Sequence, residues 1–316
     1  MNSKEFTKLI TYLFKNCRVY STQEENNQVS INELSSAKEV ILSNRLPFFS
    51  WKKFFVPEKE MLFKTNNNQF AAPETNGEKI ALLGINPVDL QAVLLYDKVF
   101  ANDPYYQTRM KNTLIIGYSL ETKMLDKSTR KLNEKGLENL RFDIFIDENK
   151  KQTVQAYAGS DLGAEILDQI GCKKYAKIKF KGHKYNKEWE TKMNARRDSL
   201  ENRHDPKIWD ELGKTCLECG KCTIVCPTCF CFRIDDSPEN RERCWDSCYY
   251  SEFSEVAGGH KFLNSTASKI HFWYNHKFAR IPDEYGMMGC IGCHRCHEVC
   301  PVGIDIKKVM EDVEKS

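Results

Sequence analysis

The sequence predicts an α/β or α+β N-terminal domain over 1–205. A mostly α, loop-rich domain dense in cysteine follows over 206–316. Three observations predict this. Short apolar runs alternate with helical patterns through residues 1–146. Lys184 to Arg203 is charged, poor in aliphatic residues, and ends at His204-Asp205-Pro206, which reads as a solvated helix leading to a boundary. Of fourteen cysteines, only Cys17 and Cys172 precede residue 216, and the other twelve lie between 216 and 300.

Taken in order, Phe6, Leu9, Ile10, Leu13 and Phe14 recur at helical spacing and predict an amphipathic helix. Gln23 to Asn27 is polar and reads as loop, and a second helix is expected over Ile31 to Leu42. An aromatic stretch runs from Pro47 to Pro57. Packing in a core is the commoner use of such residues, and docking a partner subunit is the alternative. Asn66-Asn67-Asn68 reads as loop. Ile80 to Ile85 is a buried strand by its unbroken apolar run, and Asp89 to Phe100 a helix. Leu114 to Gly117 and Phe142 to Ile146 are further strands, so strand, helix and strand build an α/β layer.

The composition narrows the function. The formal charge is only +3 over 316 residues, which argues against a general nucleic-acid binder. Mean hydropathy is −0.57, and no run approaches the ~18–20 apolar residues of a membrane span. The start, Met1-Asn2-Ser3-Lys4-Glu5-Phe6, lacks an apolar signal core, so a cytoplasmic location is expected. No Gly-x-Gly-x-x-Gly follows a strand and no P-loop is present, which suits a chain without its own flavin or nicotinamide site. In a reducing compartment clustered cysteines read as metal ligands or redox groups.

The spacing of those cysteines carries the chemistry. Cys216-x-x-Cys219-x-x-Cys222-x-x-x-Cys226-Pro227 is one run, and Cys290-x-x-Cys293-x-x-Cys296-x-x-x-Cys300-Pro301 is another. Each is the bacterial ferredoxin run, in which three close thiolates grip one [4Fe–4S] cluster and the fourth reaches the other. Soft, four-coordinate iron suits thiolates. The C-terminal domain is thus expected to be a bacterial-ferredoxin-type dicluster domain. Cys216, Cys219, Cys222 and Cys300 would hold one cluster, and Cys290, Cys293, Cys296 and Cys226 the other. Gly220 and Gly292 lie within the loops, where a small residue lets backbone N–H groups approach cluster sulfur and tune its potential. Zinc also takes Cys-x-x-Cys pairs, and Cys290-Ile291-Gly292-Cys293-His294 has the form of a c-type haem site. Four cysteines per run and the missing signal favour the cubanes over both.

Residues 227–289 form an insertion between the runs. It carries Cys229, Cys231, Cys244 and Cys248, each pair flanked by aromatics. They are a candidate third metal or redox site, or else free thiols packed as small hydrophobes. His294 and His297 interleave with the cluster cysteines and read as loop residues that titrate nearby. Gly258-Gly259-His260 reads as a tight turn or as the lining of a cluster or interface. Cys17 and Cys172, isolated, read as structural thiols.

Trp209 to Ile306 resembles the iron–sulfur β subunit of cytoplasmic NiFe sulfhydrogenases and the related iron–sulfur subunit of anaerobic sulfite reductases. The matching pieces are Cys219-Gly-Lys-Cys222, Cys226-Pro-Thr-Cys229-Phe-Cys231, Trp245-Asp-Ser-Cys248, Val256-Ala-Gly-Gly-His260, Cys290-Ile-Gly-Cys293 and Cys300-Pro-Val. Earlier matches are Lys53-Phe-Phe55, Pro57, Glu60-Met-Leu-Phe63, Leu83-Gly84-Ile85 with Asp89-Leu90, Asp103-Pro-Tyr-Tyr106 and Ile115-Ile116-Gly117. The family usually carries cysteines just before Asp89 and after Gly117. This chain has none there, so no N-terminal metal site carries over. Cys244 stands where the family tends to have a basic or polar residue. The resemblance implies a non-catalytic electron relay between a flavin subunit that handles NAD(P)H and a catalytic subunit carrying NiFe or, alternatively, sirohaem. A second alternative is a self-contained disulfide or sulfur reductase built on Cys229, Cys231, Cys244 and Cys248.

Overall fold

The computed structural model describes residues 1–316 except 44, 67–68, 72–76, 120–133, 149–153, 183–186 and 204. The chain divides into two compact units, Met1–Trp51 with Thr75–Lys184 and Lys52–Glu74 with Tyr185–Ser316. The fold class is the one the sequence predicts: a mixed α/β region first, then a helical, cysteine-rich one.

The first unit is built on a seven-stranded sheet. Its order is Gln28–Glu33, Arg18–Glu25, Ile80–Ile85, Thr113–Tyr118, Ile144–Glu148, Val154–Ala158, Tyr175–Lys177. The four strands from Arg18–Glu25 to Ile144–Glu148 run parallel. Ile80–Ile85 and Thr113–Tyr118 are buried on both faces, which is why their sequences are unbroken apolar runs rather than alternating ones. Helices Pro87–Val99 and Pro104–Lys111 connect them; Asn86 caps the first by accepting from the Asp89 N–H, and Pro87 fills a first-turn position whose N–H needs no partner. Leu9, Ile10 and Leu13 of helix Ser3–Asn16 join the core with Val19, Leu83, Ile116 and Ile144.

Two expectations are corrected here. Gln23 to Glu25 is not loop but the end of the strand Arg18–Glu25, and Ile31 to Leu42 is not a helix. Asn26 and Asn27 both take left-handed backbone, φ 48° and 63°, and turn the chain into the antiparallel strand Gln28–Glu33. Val29 and Ile31 bury alternately on that strand. Only Ala37–Glu39 is helical, as a single 3-10 turn. Asn66 ends a strand, and Asn67 and Asn68 lie outside the described residues.

The second unit places residues 52–74 and 185–205 beside the cysteine-rich region. Lys59–Asn66 pairs antiparallel with Asn240–Trp245, itself half of a hairpin with Phe232–Asp236 inside the insertion. Arg243 Nε donates to Glu60 at 3.1 Å across that register, and Trp245 Nε1 donates to Val56 O at 2.9 Å. Helices Lys207–Thr215, Thr266–Asn275 and Ile306–Lys315 supply the core, with Trp209, Ile270, Trp273, Tyr274, Val309 and Met310. Cys216, Cys222, Cys229, Cys290 and Cys296 pack against it. No helix among the described residues is long and apolar enough to cross a membrane.

Candidate metal centre

The two cysteine runs share one backbone. Aligning Cys216 with Cys290 pairs Glu218 with Gly292 and Gly220 with His294. All four take left-handed φ, 51° and 70° at the first pair, 69° and 59° at the second. The short helices that follow, Lys221–Ile224 and Arg295–Glu298, start at Gly220 and His294. Their hydrogen bonds repeat: Thr223 N to Gly220 O and His297 N to His294 O are both 3.0 Å, and Ile224 N and Glu298 N reach the same carbonyls at 3.2 Å. The N–H of Glu218 faces the Cys216 sulfur, and that of Gly292 faces Cys290. A backbone donor therefore stands against the first sulfur of each run. At Gly220 a Cβ would stand 2.6 Å from the Tyr250 ring. Gly292 faces open space, so its φ alone calls for glycine.

Cys216, Cys219, Cys222 and Cys300 line one cavity, enclosing about 550 Å³ with its open mouth included, together with Cys296, Tyr249, Trp273 and Tyr274. Ile304 N donates to Cys300 Sγ at 3.3 Å. Burial, with Cys216, Cys226, Cys219 and Cys300 close by, pushes the Cys222 thiol up to about 12. Burial, with Cys226, Cys290 and Cys293 close by, likewise raises Cys296. Such groups of thiols resist ionising together and need a cation to hold them as thiolates. Two buried donors make the same demand. Among the described residues, Trp273 Nε1 and Tyr274 Oη are buried without a hydrogen-bond partner. Cluster sulfur is an acceptor that would satisfy them. Among the described residues, no three His, Cys, Asp or Glu side chains converge as a single ion requires. A cubane sets a separate iron before each thiolate, so its ligands stand apart. The donor set fits [4Fe–4S] clusters.

Among the described residues, no three of the insertion cysteines converge as a single ion requires. Cys226 and Cys229 share a hydrogen bond that helps to hold Cys226 well below the usual thiol range and Cys229 above it. Cys231 and Cys248 are raised by burial, and both feel the ammonium of Lys277. Cys244 lies on the strand Asn240–Trp245, where burial and a hydrogen bond with Asp235 raise it. Sequence reasoning missed Glu218, Tyr274 and Lys277. Reading the two runs in register would have found Glu218. Nothing in the cysteine spacing marks the other two.

His294 is the left-handed residue described above, and its φ of 59° shows it positions the loop. His297 lies against the Ile304 carbonyl at 3.4 Å. Gly258 and Gly259 have φ of 93° and 78°, the turn that the sequence suggests, and His260 packs edge-on against Phe262. Cys172 is buried and Cys17 half-buried, and burial raises both thiols.

Residues 215–304 match the family model described as "4Fe-4S dicluster domain". The chain is 29% identical over 332 residues to "Sulfhydrogenase 2 subunit beta" of Pyrococcus furiosus, covering 100% of this chain and 98% of that one. No solved structure matches it significantly. The chain carries a 4Fe-4S dicluster domain, and the sequence resemblance to hydrogenase β subunits extends over its whole length.

Proposed function

We propose that this chain is the relay subunit of a multi-subunit hydrogenase. It passes electrons between a flavin subunit that handles NAD(P)H and a catalytic NiFe subunit. The observation that carries the reading is the cavity in which Cys296 and Cys300 of the second run meet Cys216, Cys219 and Cys222 of the first. Cys216, Cys219, Cys222 and Cys300 would hold one [4Fe–4S] cluster, and Cys290, Cys293, Cys296 and Cys226 a second. When bound, each cluster accepts and releases one electron at a time. The protein excludes water with Trp273, Tyr274 and Tyr249, and donates backbone N–H groups to cysteine sulfur from Glu218, Gly292 and Ile304. The full-length likeness to a sulfhydrogenase β subunit supports the hydrogenase setting over a sirohaem sulfite reductase.

The test is the metal and pigment content of the native complex, purified without oxygen through a tag on this chain. Nickel with iron is expected. Sirohaem without nickel would replace the hydrogenase reading with the sulfite reductase one. Iron in the isolated chain separates two clusters, about eight atoms, from a third at the insertion cysteines, about twelve. Substrate turnover by the isolated chain with an artificial donor would instead favour the self-contained reductase.

A further inference from the structure

Lys277 is buried to 2% exposure in the π-helical turn His276–Arg280. Such turns recur at functional sites because they re-aim a side chain that an α-helix would direct elsewhere. Its Nζ lies 3.2 Å from Cys226 Sγ, 3.1 Å from Thr228 Oγ1 and 3.1 Å from Gly289 O. These partners belong to both cysteine runs. Cys226 and Thr228 close the first, and Gly289 precedes Cys290 of the second. The backbone fixes the approach: Gly289 N donates to Lys277 O at 3.0 Å, and a Cβ at Gly289 would stand 2.7 Å from that oxygen. The Trp273 ring lies 5.3 Å from Nζ. A second buried lysine, Lys52, sits 3.7 Å from the Trp245 ring, and burial lowers its pKa.

We propose that Lys277 sets the reduction potential of the cluster that Cys226 helps to hold, through a fixed positive charge and an N–H donor against its ligand sulfur. The inference rests on the iron–sulfur reading above. Reduction adds one electron to the cluster, supplied by a redox partner or by dithionite in a titration, and no bond forms or breaks. The cluster and its thiolates gain one negative charge. In a buried setting a nearby cation stabilises that extra charge more than it stabilises the oxidised state, so it raises the potential. Lys277 is thus a positioning residue. A brace that merely tied Thr228 to Gly289 would leave the potential where it was.

The test is an EPR-monitored redox titration of the full-length protein, loaded and purified without oxygen. Lys277→Gln is expected to disfavour reduction of one cluster at least tenfold, a drop of 59 mV for one electron. The other cluster should not move, and Lys277→Arg should stay close to wild type. Unchanged potentials in an iron-replete Lys277→Gln protein would overturn the proposal and leave the relay reading standing. If that variant loses its cluster, pulsed EPR of reduced wild-type protein labelled with 15N-lysine decides. A nitrogen coupling that responds to the isotope is expected, and its absence would overturn the proposal. Wild-type chain without iron clusters would overturn the relay reading itself.

Discussion

Glu218 and His294 hold left-handed backbone without being glycine. That conformation costs an L-residue about 1–2 kcal/mol. Glu218 is kept there by its own side chain, which accepts from Thr266 Oγ1 and Lys269 Nζ, both at 2.6 Å. The same loop geometry is thus reached by glycine at one position of each run and by a non-glycine residue at the other. This separates the two glycines. Gly292→Ala should cost only the backbone term, about 1–2 kcal/mol. Gly220→Ala should cost more, because its Cβ would meet the Tyr250 ring at 2.6 Å. Melting temperatures of the anaerobically purified variants measure both. Adding Tyr250→Ala to Gly220→Ala should bring its loss down to that of Gly292→Ala, and no recovery would mean that the ring is not the obstacle. The eight cysteines of the two runs stand out in the sequence because one spacing occurs twice. Glu218 was legible only in register with Gly292, and Tyr274 was not, because a buried tyrosine leaves no local pattern.

Strands and helices were legible where one period dominated. Ile80–Ile85 and Thr113–Tyr118 are unbroken apolar runs, and Ser3–Asn16 keeps one apolar face. Ile31 to Leu42 misled because its few apolar residues suit either period. The deciding signal, a two-asparagine turn at 26–27, sits outside it. The π-helical turn at His276–Arg280 was equally hidden, yet it has a measurable consequence. It seats His276 between Phe230, centroids 5.5 Å apart, and Phe272, 5.9 Å apart. Burial first, then the charges of Lys277 and Arg280 against the opposing Glu284, push its pKa down to about 4 from 6.5. A histidine held neutral binds its proton more readily unfolded. Its contribution is therefore complete above pH 6.5 and is lost as pH falls toward 4, up to about 3 kcal/mol. His276→Gln should flatten that part of the pH dependence. Urea midpoints at pH 7 and pH 5 test this: the drop between them should be smaller in the variant, and an equal drop in both would assign the acid sensitivity elsewhere.

The two runs stand far apart in sequence, with the insertion hairpin Phe232–Trp245 and helix Thr266–Asn275 between them. A strand from residues 59–66 also joins that hairpin. No single segment forecasts this pairing, since a strand's partner is set by which edges the finished fold leaves open. The cysteine spacing does forecast one long-range contact, the meeting of the two runs by exchange of fourth ligands, and the cavity that brings Cys296 and Cys300 to Cys216, Cys219 and Cys222 supports it. If the fourth ligands are exchanged, each cluster closes the whole stretch between the runs, and losing one ligand should be felt by the opposite run. Cys300→Ser should then disturb the cluster of Cys216, Cys219 and Cys222 while the cluster of Cys290, Cys293 and Cys296 keeps its signal. Cys226→Ser should do the reverse. EPR of the two reduced variants, each compared with the cluster signals of wild type, reads this directly. Were Cys300→Ser to remove the cluster of its own run instead, each run would hold a cluster alone. The insertion would then be tied together by packing and the Arg243–Glu60 pair rather than by iron.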